Sequence, residues 1–365
     1  MSSPTKGSAV AQPNMRDVAA RAGVSLSAVS LVVNGKPGVG PDKRARVRAA
    51  MDELGYVPGG RRYTATETKV LGLLMESLSV PASSDGFYTR IIAGIEEAAY
   101  RLGYRLLLHL YRPGVDPIDD IRDLMGRDVD GLIIANDGDV TADVIRQIAD
   151  MGSPVVLVES YLADPIHAVT ADNFMAGLAI TNHLLELGHR RIGALRGPSK
   201  YSSLRDRLRG HDVALLEHGI AIEPELQPVP VSGHPKKGYV QMQQLLALRE
   251  PPTAVFAVSD KSAFGAMEAI KEAGLRIPDD ISIAGIDDVA ESAYSSPPLT
   301  TFHVPKHKLG ETAVAILHDL LTTGTQPPAR TVLLGHLVVR QSAAAPPSGT
   351  SERSRSVVAT RREES

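Results

Sequence analysis

The sequence predicts a small all-α head that contains a helix-turn-helix, followed by an α/β body of two doubly wound parallel-sheet lobes. First, the apolar pattern changes near residue 70, from short amphipathic helices to apolar runs that alternate with longer helices. Second, residues 1–63 carry ten basic and four acidic residues, a net charge of +6, so the other 302 residues carry −9 of the chain total of −3. A basic head on an acidic body indicates that the head alone meets a polyanion.

Residues 14–55 have the pattern of three short helices. Asn14 is the expected N-cap of the first helix and Gly23 its end, while Ser25 is the expected N-cap of the second. Pro41 is expected in the first turn of the third. A helix, a glycine turn and a second helix have the spacing of a helix-turn-helix, but an ordinary helical hairpin shares it. The third helix adds four basic residues that favour DNA binding over the plain hairpin: Lys43, Arg44, Arg46 and Arg48.

From residue 70 onward, apolar runs that are buried on both faces alternate with amphipathic helices, which is typical of parallel sheets. The predicted strands are Val70–Met75, Tyr104–Leu110, Gly131–Ala135, Val155–Val158, Ile192–Leu195, Ala254–Val258 and Ile281–Ile286. The predicted helices are Tyr88–Leu102, Asp172–Leu187, Ser203–His218, Ser259–Ala273 and Lys306–Leu321. This many strands over some 270 residues require two sheets.

The chain therefore divides into five segments. We expect disordered ends at 1–13 and 343–365, a DNA-binding head at 14–58, a short connecting segment at 59–69 and a two-lobed body at 70–342. A resemblance to a known family, carried by the motifs given next, implies a hinge at 59–69 and an effector-binding and dimerisation domain at 70–342.

Many short motifs, in order along residues 14–342, resemble the LacI/GalR family of transcriptional regulators. They include Asp17-Val-Ala, Ala22-Gly-Val-Ser25, Val33-Asn34-Gly35, Leu54-Gly-Tyr-Val-Pro58, Asp130-Gly-Leu-Ile, Gly188-His189-Arg190, Ile277-Pro278-Asp279-Asp280, Gly285-Ile286-Asp287-Asp288 and Pro298-Leu299-Thr300-Thr301. The resemblance implies a homodimer that binds a pseudopalindromic operator through the major groove, and an effector core like that of periplasmic sugar-binding proteins.

Matched position by position, the resemblance also assigns DNA contacts. Leu26 and Ser27 match the base-reading pair, and Leu31 occupies a position where an arginine often reads guanine. Leucine offers only apolar contact there, or simply fills the core. The expected backbone contacts are Met15, Ser25, Ser30, Asn34 and Lys43.

The hinge departs from the family pattern, because the segment after Pro58 is about two residues shorter than usual. Aligned with that gap, Arg61 falls on the hinge arginine and Tyr63 on the residue that wedges into the minor groove. The pair Gly59-Gly60 weakens a helix here by about 1 kcal/mol per glycine relative to alanine, so we expect a hinge that folds only on DNA.

Effector contacts are expected just after the strands, because parallel sheets bind ligands beyond the carboxyl ends of their strands. The chain has no Trp and only ten Tyr and five Phe, so few other side chains could stack on a sugar. Matched to the family, the expected contacts are Phe87, Tyr88, Glu159, Arg207, Ser259 and Asp287. Glu159, Ser259 and Asp287 directly follow predicted strands, whereas Arg207 lies within a predicted helix and is assigned by the resemblance alone.

Several of these residues have a purely structural alternative. Glu159 fits a surface loop and Arg207 a salt bridge, and Asp172 and Asp260, beside the expected sites, fit helix N-caps.

Other function classes find little support. The sequence has no Cys, signal peptide or transmembrane run, and lacks the glycine-rich phosphate loops and the Gly-x-Ser-x-Gly turn of hydrolases. The eleven His do not fall at metal spacing, so we expect no enzyme activity, cofactor, metal or membrane partner. The expected protein is a cytoplasmic repressor of sugar-uptake or catabolism genes with a carbohydrate effector; the alternative is a sugar-binding module without a DNA function.

Overall fold

A computed structural model describes most of the chain. The described residues are 15–33, 38–54, 69–76, 86–111, 118–125, 129–135, 142–150, 153–162, 165–230, 237–324 and 326–347. They belong to two compact units, one of Met1–Thr66 with Asp150–Gly152, the other of Glu67–Ala149 with Ser153–Ser365.

The described residues of the first unit form three helices, α1 (Met15–Ala22), α2 (Leu26–Val33) and α3 (Pro41–Leu54). Gly23 turns the chain between α1 and α2 with φ of +61°, a conformation that costs glycine little. The small core of this unit is Val18, Ala19, Ala22, Val29, Val32, Val47 and Ala50. The predicted helix-turn-helix head is confirmed.

The first lobe of the second unit is a six-stranded parallel sheet in the order β10-β5-β4-β3-β1-β2. Its strands are β1 (Val70–Glu76), β2 (Arg105–Tyr111), β3 (Gly131–Ala135), β4 (Val155–Val158), β5 (His167–Ala171) and β10 (Arg330–Leu333). Its helices are α4 (Gly86–Arg101), α5 (Ile118–Met125), α6 (Ala142–Asp150) and α11 (Lys306–Thr323). Strands β3 and β4 are buried throughout, as their continuous apolar runs predict.

The second lobe has a parallel sheet β6-β7-β8, and β9 pairs antiparallel with β11 beside it. Its strands are β6 (Ile192–Leu195), β7 (Ala254–Ala257), β8 (Ser282–Ala284), β9 (Thr301–His303) and β11 (His336–Val338). Its helices are α7 (Asn173–Glu186), α8 (Ser202–Glu217), α9 (Lys237–Leu246) and α10 (Asp260–Glu272). Short 3-10 helices lie at Pro224–Leu226 and Ala290–Ala293.

Pairs of glycines hold neighbouring helices in close contact. A Cβ on Gly177 of α7 would overlap the carbonyl oxygen of Arg207 on α8, and a Cβ on Gly210 of α8 would overlap the carbonyl oxygen of Phe174 on α7. Gly94 and Gly310 join α4 to α11 in the same reciprocal way. The α7–α8 contact fixes the depth at which the backbone of Arg207 lies.

Within the described residues, the chain crosses between the lobes at three places: after β5, between β9 and α11, and between β10 and β11. Strands β5, β9, β10 and β11 were not predicted, because they have only three to five residues and lack a long apolar run. Helices α5, α6 and α9 were not predicted either.

The predicted boundary at residue 342 is too early. Ala344 donates its N–H to Ser282 Oγ at 3.0 Å, and its carbonyl accepts from His189 Nε2 at 2.8 Å. These contacts fix the chain just beyond 342 against β8, so the effector domain includes at least Ala344. His189 lies in the segment between α7 and β6.

Candidate functional site

The N-terminal end of α2 exposes the predicted base-reading pair. Leu26 is 43% exposed, and Ser27 is exposed beside it. Ser25 Oγ accepts from the backbone N–H of Ala28 at 3.2 Å and lies 3.0 Å from Ser27 Oγ, so it caps α2 while remaining at the surface. A helix N-terminus with an exposed hydroxyl is suited to hold a phosphate of the DNA backbone.

The other predicted DNA contacts are placed as follows. Met15 and Lys43 are exposed, whereas Ser30 and Leu31 on α2 are half-buried. Leu31 therefore presents part of an apolar side chain at the surface rather than filling the core completely. Three predicted contacts lie outside the described residues: Asn34, Arg61 and Tyr63.

Arg46 has a structural role in addition to the positive charge that it brings to α3. Its Nη2 donates to the carbonyl oxygens of Ala22 and of Gly23, the latter at 3.0 Å. These carbonyls end α1 and have no partner within that helix, so the guanidinium satisfies them and ties α3 to the turn. Arg46 remains exposed, so it keeps the positive charge that favours DNA binding while it also stabilises the turn.

In the second unit, Arg207 on α8 is the centre of a buried polar network, with 2% of its surface exposed. Its Nε donates to Asn173 Oδ1 at 2.7 Å, and its Nη1 donates to Asp287 Oδ1 and to the carbonyl of Val258, both at 2.8 Å. Its Nη2 makes no hydrogen bond within the described part of the chain, and Glu159 Oε2 lies 4.0 Å from it. The guanidinium thus keeps donors for a ligand.

Glu159 is buried rather than lying in a surface loop. It follows β4 with φ of +58°, and its carboxylate accepts from the backbone N–H of Ala171 and from Asn173 Nδ2, the latter at 3.3 Å. Because Asn173 also accepts from Arg207, one amide joins the carboxylate of the first lobe to the arginine of the second. Asn173 was not among the predicted site residues; its place two residues after the end of β5 is the signal that could have found it.

Asp287 lies in a turn that Lys306 stabilises. Asp287 and Asp288 have φ of +136° and +53°, which costs a non-glycine residue about 1–3 kcal/mol. Lys306 Nζ donates to the carbonyls of both and to that of Val304, at 3.1 Å for Asp288 and Val304. Burial raises the pKa of Asp287 to about 7, although the charge of Arg207 lowers it. Burial also lowers the pKa of Lys306.

Asp260 forms hydrogen bonds that also stabilise the turn containing Asp287. It accepts from Thr301 Oγ1 at 2.6 Å, Ser292 Oγ at 2.7 Å and the N–H of Val289 at 3.1 Å, and burial raises its pKa. It is therefore not an N-cap. Ser259 caps α10 instead, because its Oγ accepts from the N–H of Ser262 at 3.2 Å.

Asp172 does cap a helix: its Oδ1 accepts from the N–H of Met175 at 3.0 Å at the start of α7.

The predicted aromatic pair lies beside Arg207. Phe87 is buried, with the Arg207 Cζ 5.9 Å from its ring centroid, and Tyr88 is half-buried in an edge-to-face contact with Phe87 at 5.1 Å. The structure thus brings together Phe87, Glu159, Arg207 and Asp287, with Tyr88 beside Phe87. Ser259 is engaged as a helix cap, and no contact joins it to this network within the described residues.

Two further properties concern the described residues alone. None of their helices is long and apolar enough to cross a membrane. In the same residues, no group of three or more His, Asp or Glu is placed to hold a metal ion.

Comparison with known proteins gives two family matches. Residues 14–59 match the model described as bacterial regulatory proteins, lacI family, and residues 181–343 match a periplasmic binding protein-like domain. The chain is 34% identical over 310 residues to the HTH-type transcriptional repressor PurR of Photobacterium profundum, an alignment that covers 84% of this chain and 91% of that protein. The chain belongs to the LacI family.

Other LacI-family members show the same similarity. The ribose operon repressor of Haemophilus influenzae is 34% identical over 90% of this chain and 98% of its own. A complex of the transcriptional regulator CelR with cellobiose superposes with a TM-score of 0.71 at 30% identity, covering 91% of this chain and all of that one. A lac repressor dimer bound to operator gives 0.69 at 29% identity, covering 92% and 100%.

The predicted family and fold class are therefore confirmed, and the chain is a DNA-binding transcriptional regulator with a ligand-binding domain.

Proposed function

We propose that this protein is a homodimeric repressor that binds a pseudopalindromic operator and is controlled by an uncharged, hydroxyl-rich effector such as a carbohydrate. The observation that carries the choice of effector is the buried network around Arg207. Arg207 Nη2 is a donor without a hydrogen bond in the described residues, and Asp287 Oδ2 accepts no side-chain hydrogen bond there. Neighbouring hydroxyls of a sugar can accept from the first and donate to the second.

The charges of this network favour a neutral ligand. Three carboxyl groups, Glu159, Asp260 and Asp287, surround two cations, Arg207 and Lys306. Both cations are already bonded, Arg207 to Asp287 and Lys306 to backbone carbonyls. An anionic ligand would therefore add a negative charge to a network in which the carboxyl groups already outnumber the cations, and burying an unpaired charge is unfavourable.

A purine base is the second candidate effector. Relatives named PurR favour it, because they are as similar to this chain as the ribose operon repressor is. The half-exposed ring of Tyr88 would stack on a planar base as well as on a sugar face. The donor on Arg207 and the acceptor on Asp287 suit ring and exocyclic groups of a purine too.

Exposed apolar residues support the homodimer. Leu108 and Leu110 on the edge strand β2 are 46% and 47% exposed, and Tyr294 is 86% exposed beside a groove that Phe264 also lines. Apolar surface on an uncovered sheet edge is unfavourable in a monomer, and a second copy would bury it. A repressor acts on the chromosome, so we place the dimer in the cytoplasm.

The effector is tested by titration calorimetry of the full-length protein against a panel of neutral mono- and disaccharides and of purine bases. We expect a saccharide to bind and to release the protein from its operator. Arg207→Lys, which keeps the charge but loses the planar fork, should abolish that binding, whereas Arg209→Lys on the same helix should not. Binding of a purine base instead would support the second candidate, and binding of neither class would refute an effector site of this design.

A further inference from the structure

We propose that Asp206 on α8, with Tyr161 and Arg330, forms a latch between the lobes that holds α8, and with it Arg207, in the arrangement described above. Tyr161 lies after β4 and Arg330 on β10, both in the first lobe, whereas Asp206 belongs to the second. Tyr161 Oη donates to Asp206 Oδ2 at 2.8 Å, and Arg330 Nη2 lies 3.9 Å from the same oxygen. The three side chains bridge the two lobes without using the effector network.

The latch is built as a compact unit. The Arg330 guanidinium lies over the Tyr161 ring, with 3.7 Å from Cζ to the ring centroid, so the cation holds the ring in place while the ring's hydroxyl holds the carboxylate. Asp206 is 13% exposed, which protects the contact from water more than an ordinary surface ion pair. Burial and the neighbouring Asp206 raise the pKa of Tyr161, so its hydroxyl keeps the proton that it donates.

Position on α8 links this latch to the effector site. Asp206 and Arg207 are consecutive residues, and each reaches the first lobe: Asp206 contacts Tyr161, and Arg207 lies beside Phe87 and Glu159. A rigid helix cannot move one of these residues relative to the first lobe without moving the other. Asp206 is therefore a positioning residue. The strength of the latch sets how readily the lobes rearrange when a ligand binds Arg207.

The test measures the distance between the lobes of the full-length protein without DNA or ligand. Because the chain has no Cys, the pair Arg90→Cys on α4 and Lys261→Cys on α10, both exposed, can be spin-labelled selectively. Mixing labelled chains with a large excess of unlabelled chains confines the signal to distances within one chain. Double electron–electron resonance then gives the distribution of lobe-to-lobe distances.

Asp206→Asn and Tyr161→Phe should each move the equilibrium between lobe arrangements about tenfold away from the wild-type distance, the effect of losing one hydrogen bond to a charged group. The double variant should move it little further than either single variant, because both remove one shared interaction. Asp212→Asn is the matched control: it changes the same groups on the same helix, but Asp212 bonds Gln227 within the second lobe. It should leave the distribution unchanged.

A distribution for Asp206→Asn that matches wild type, or one that Asp212→Asn shifts equally, would overturn the latch. Thermal unfolding of each variant separates a lobe rearrangement from a general loss of stability, since the latch predicts a changed distance in a chain that remains folded. The regulatory role of the latch rests on the proposed effector control. Its experiment uses neither effector nor operator, so the latch and the proposed function can fail separately.

Discussion

Asp287→Asn tests the electrostatics of the site most sharply. The pKa of Asp287 is raised from 3.8 to about 7 by burial, so between these values the folded chain keeps a proton that the unfolded chain has lost. The stability that this group contributes is complete below pH 3.8 and is lost as the pH rises through 7. A difference of about three pKa units corresponds to about 4 kcal/mol in the free energy of unfolding. An asparagine side chain at position 287 has the same size as aspartate and still offers Arg207 an acceptor oxygen, but it has no ionisable group.

The assay is urea unfolding of wild type and variant between pH 5 and pH 8, followed by circular dichroism. The free energy of unfolding of the variant minus that of wild type should rise by about 1.4 kcal/mol per pH unit from pH 5 to 7 and then level off. As a control, Asp172→Asn makes the same exchange at an N-cap where Asn serves equally well, and should give a flat difference. A flat difference for Asp287→Asn as well would refute the burial of an ionisable carboxyl at this site.

Three other perturbations test the head and the body. Lys306→Met should lower the free energy of unfolding by about 3 kcal/mol in thermal denaturation, because it leaves buried carbonyls at a strained turn without a donor; an unchanged midpoint would contradict this. Gly177→Ala should cost about 2 kcal/mol, since the new methyl overlaps the carbonyl of Arg207; a neutral effect would show that α7 and α8 separate easily. Lys43→Ala should weaken operator and random DNA alike and reduce the slope of log affinity against log salt by about 1. An unchanged slope would remove Lys43 from the phosphate contacts.

Local pattern was enough to predict most of the fold. Short stretches of sequence are enough to predict the glycine turn at Gly23, the cap at Ser25 and the continuous apolar runs of β3 and β4. Strands β9 and β11 are different, because each has three residues and exists through pairing with a distant partner. The extension to Ala344 depends on His189 and Ser282, more than sixty residues earlier, and no local signal announces it.

The residues of the candidate site that directly follow a strand could be predicted from the sequence. Glu159 and Asp287 were expected at such places, Arg207 was expected from the family resemblance, and the three lie in one network. Sequence could not show which side chains a folded neighbour would occupy: Arg46 satisfies the end of α1, and Ser259 caps α10. Asn173 and Lys306 were missed because an amide and a lysine at the start of a helix resemble ordinary surface residues until their burial is known.

Footprinting of the full-length protein on fragments of its own genome tests the central claim most directly. We expect protection of a few sites, each with two symmetric half-sites, at salt concentrations where random DNA of equal length is not protected. Substitution of Leu26 or Ser27 should change which base pairs are required, whereas Lys43→Ala should weaken every site similarly. Equal protection of genomic and random fragments would contradict an operator-specific repressor.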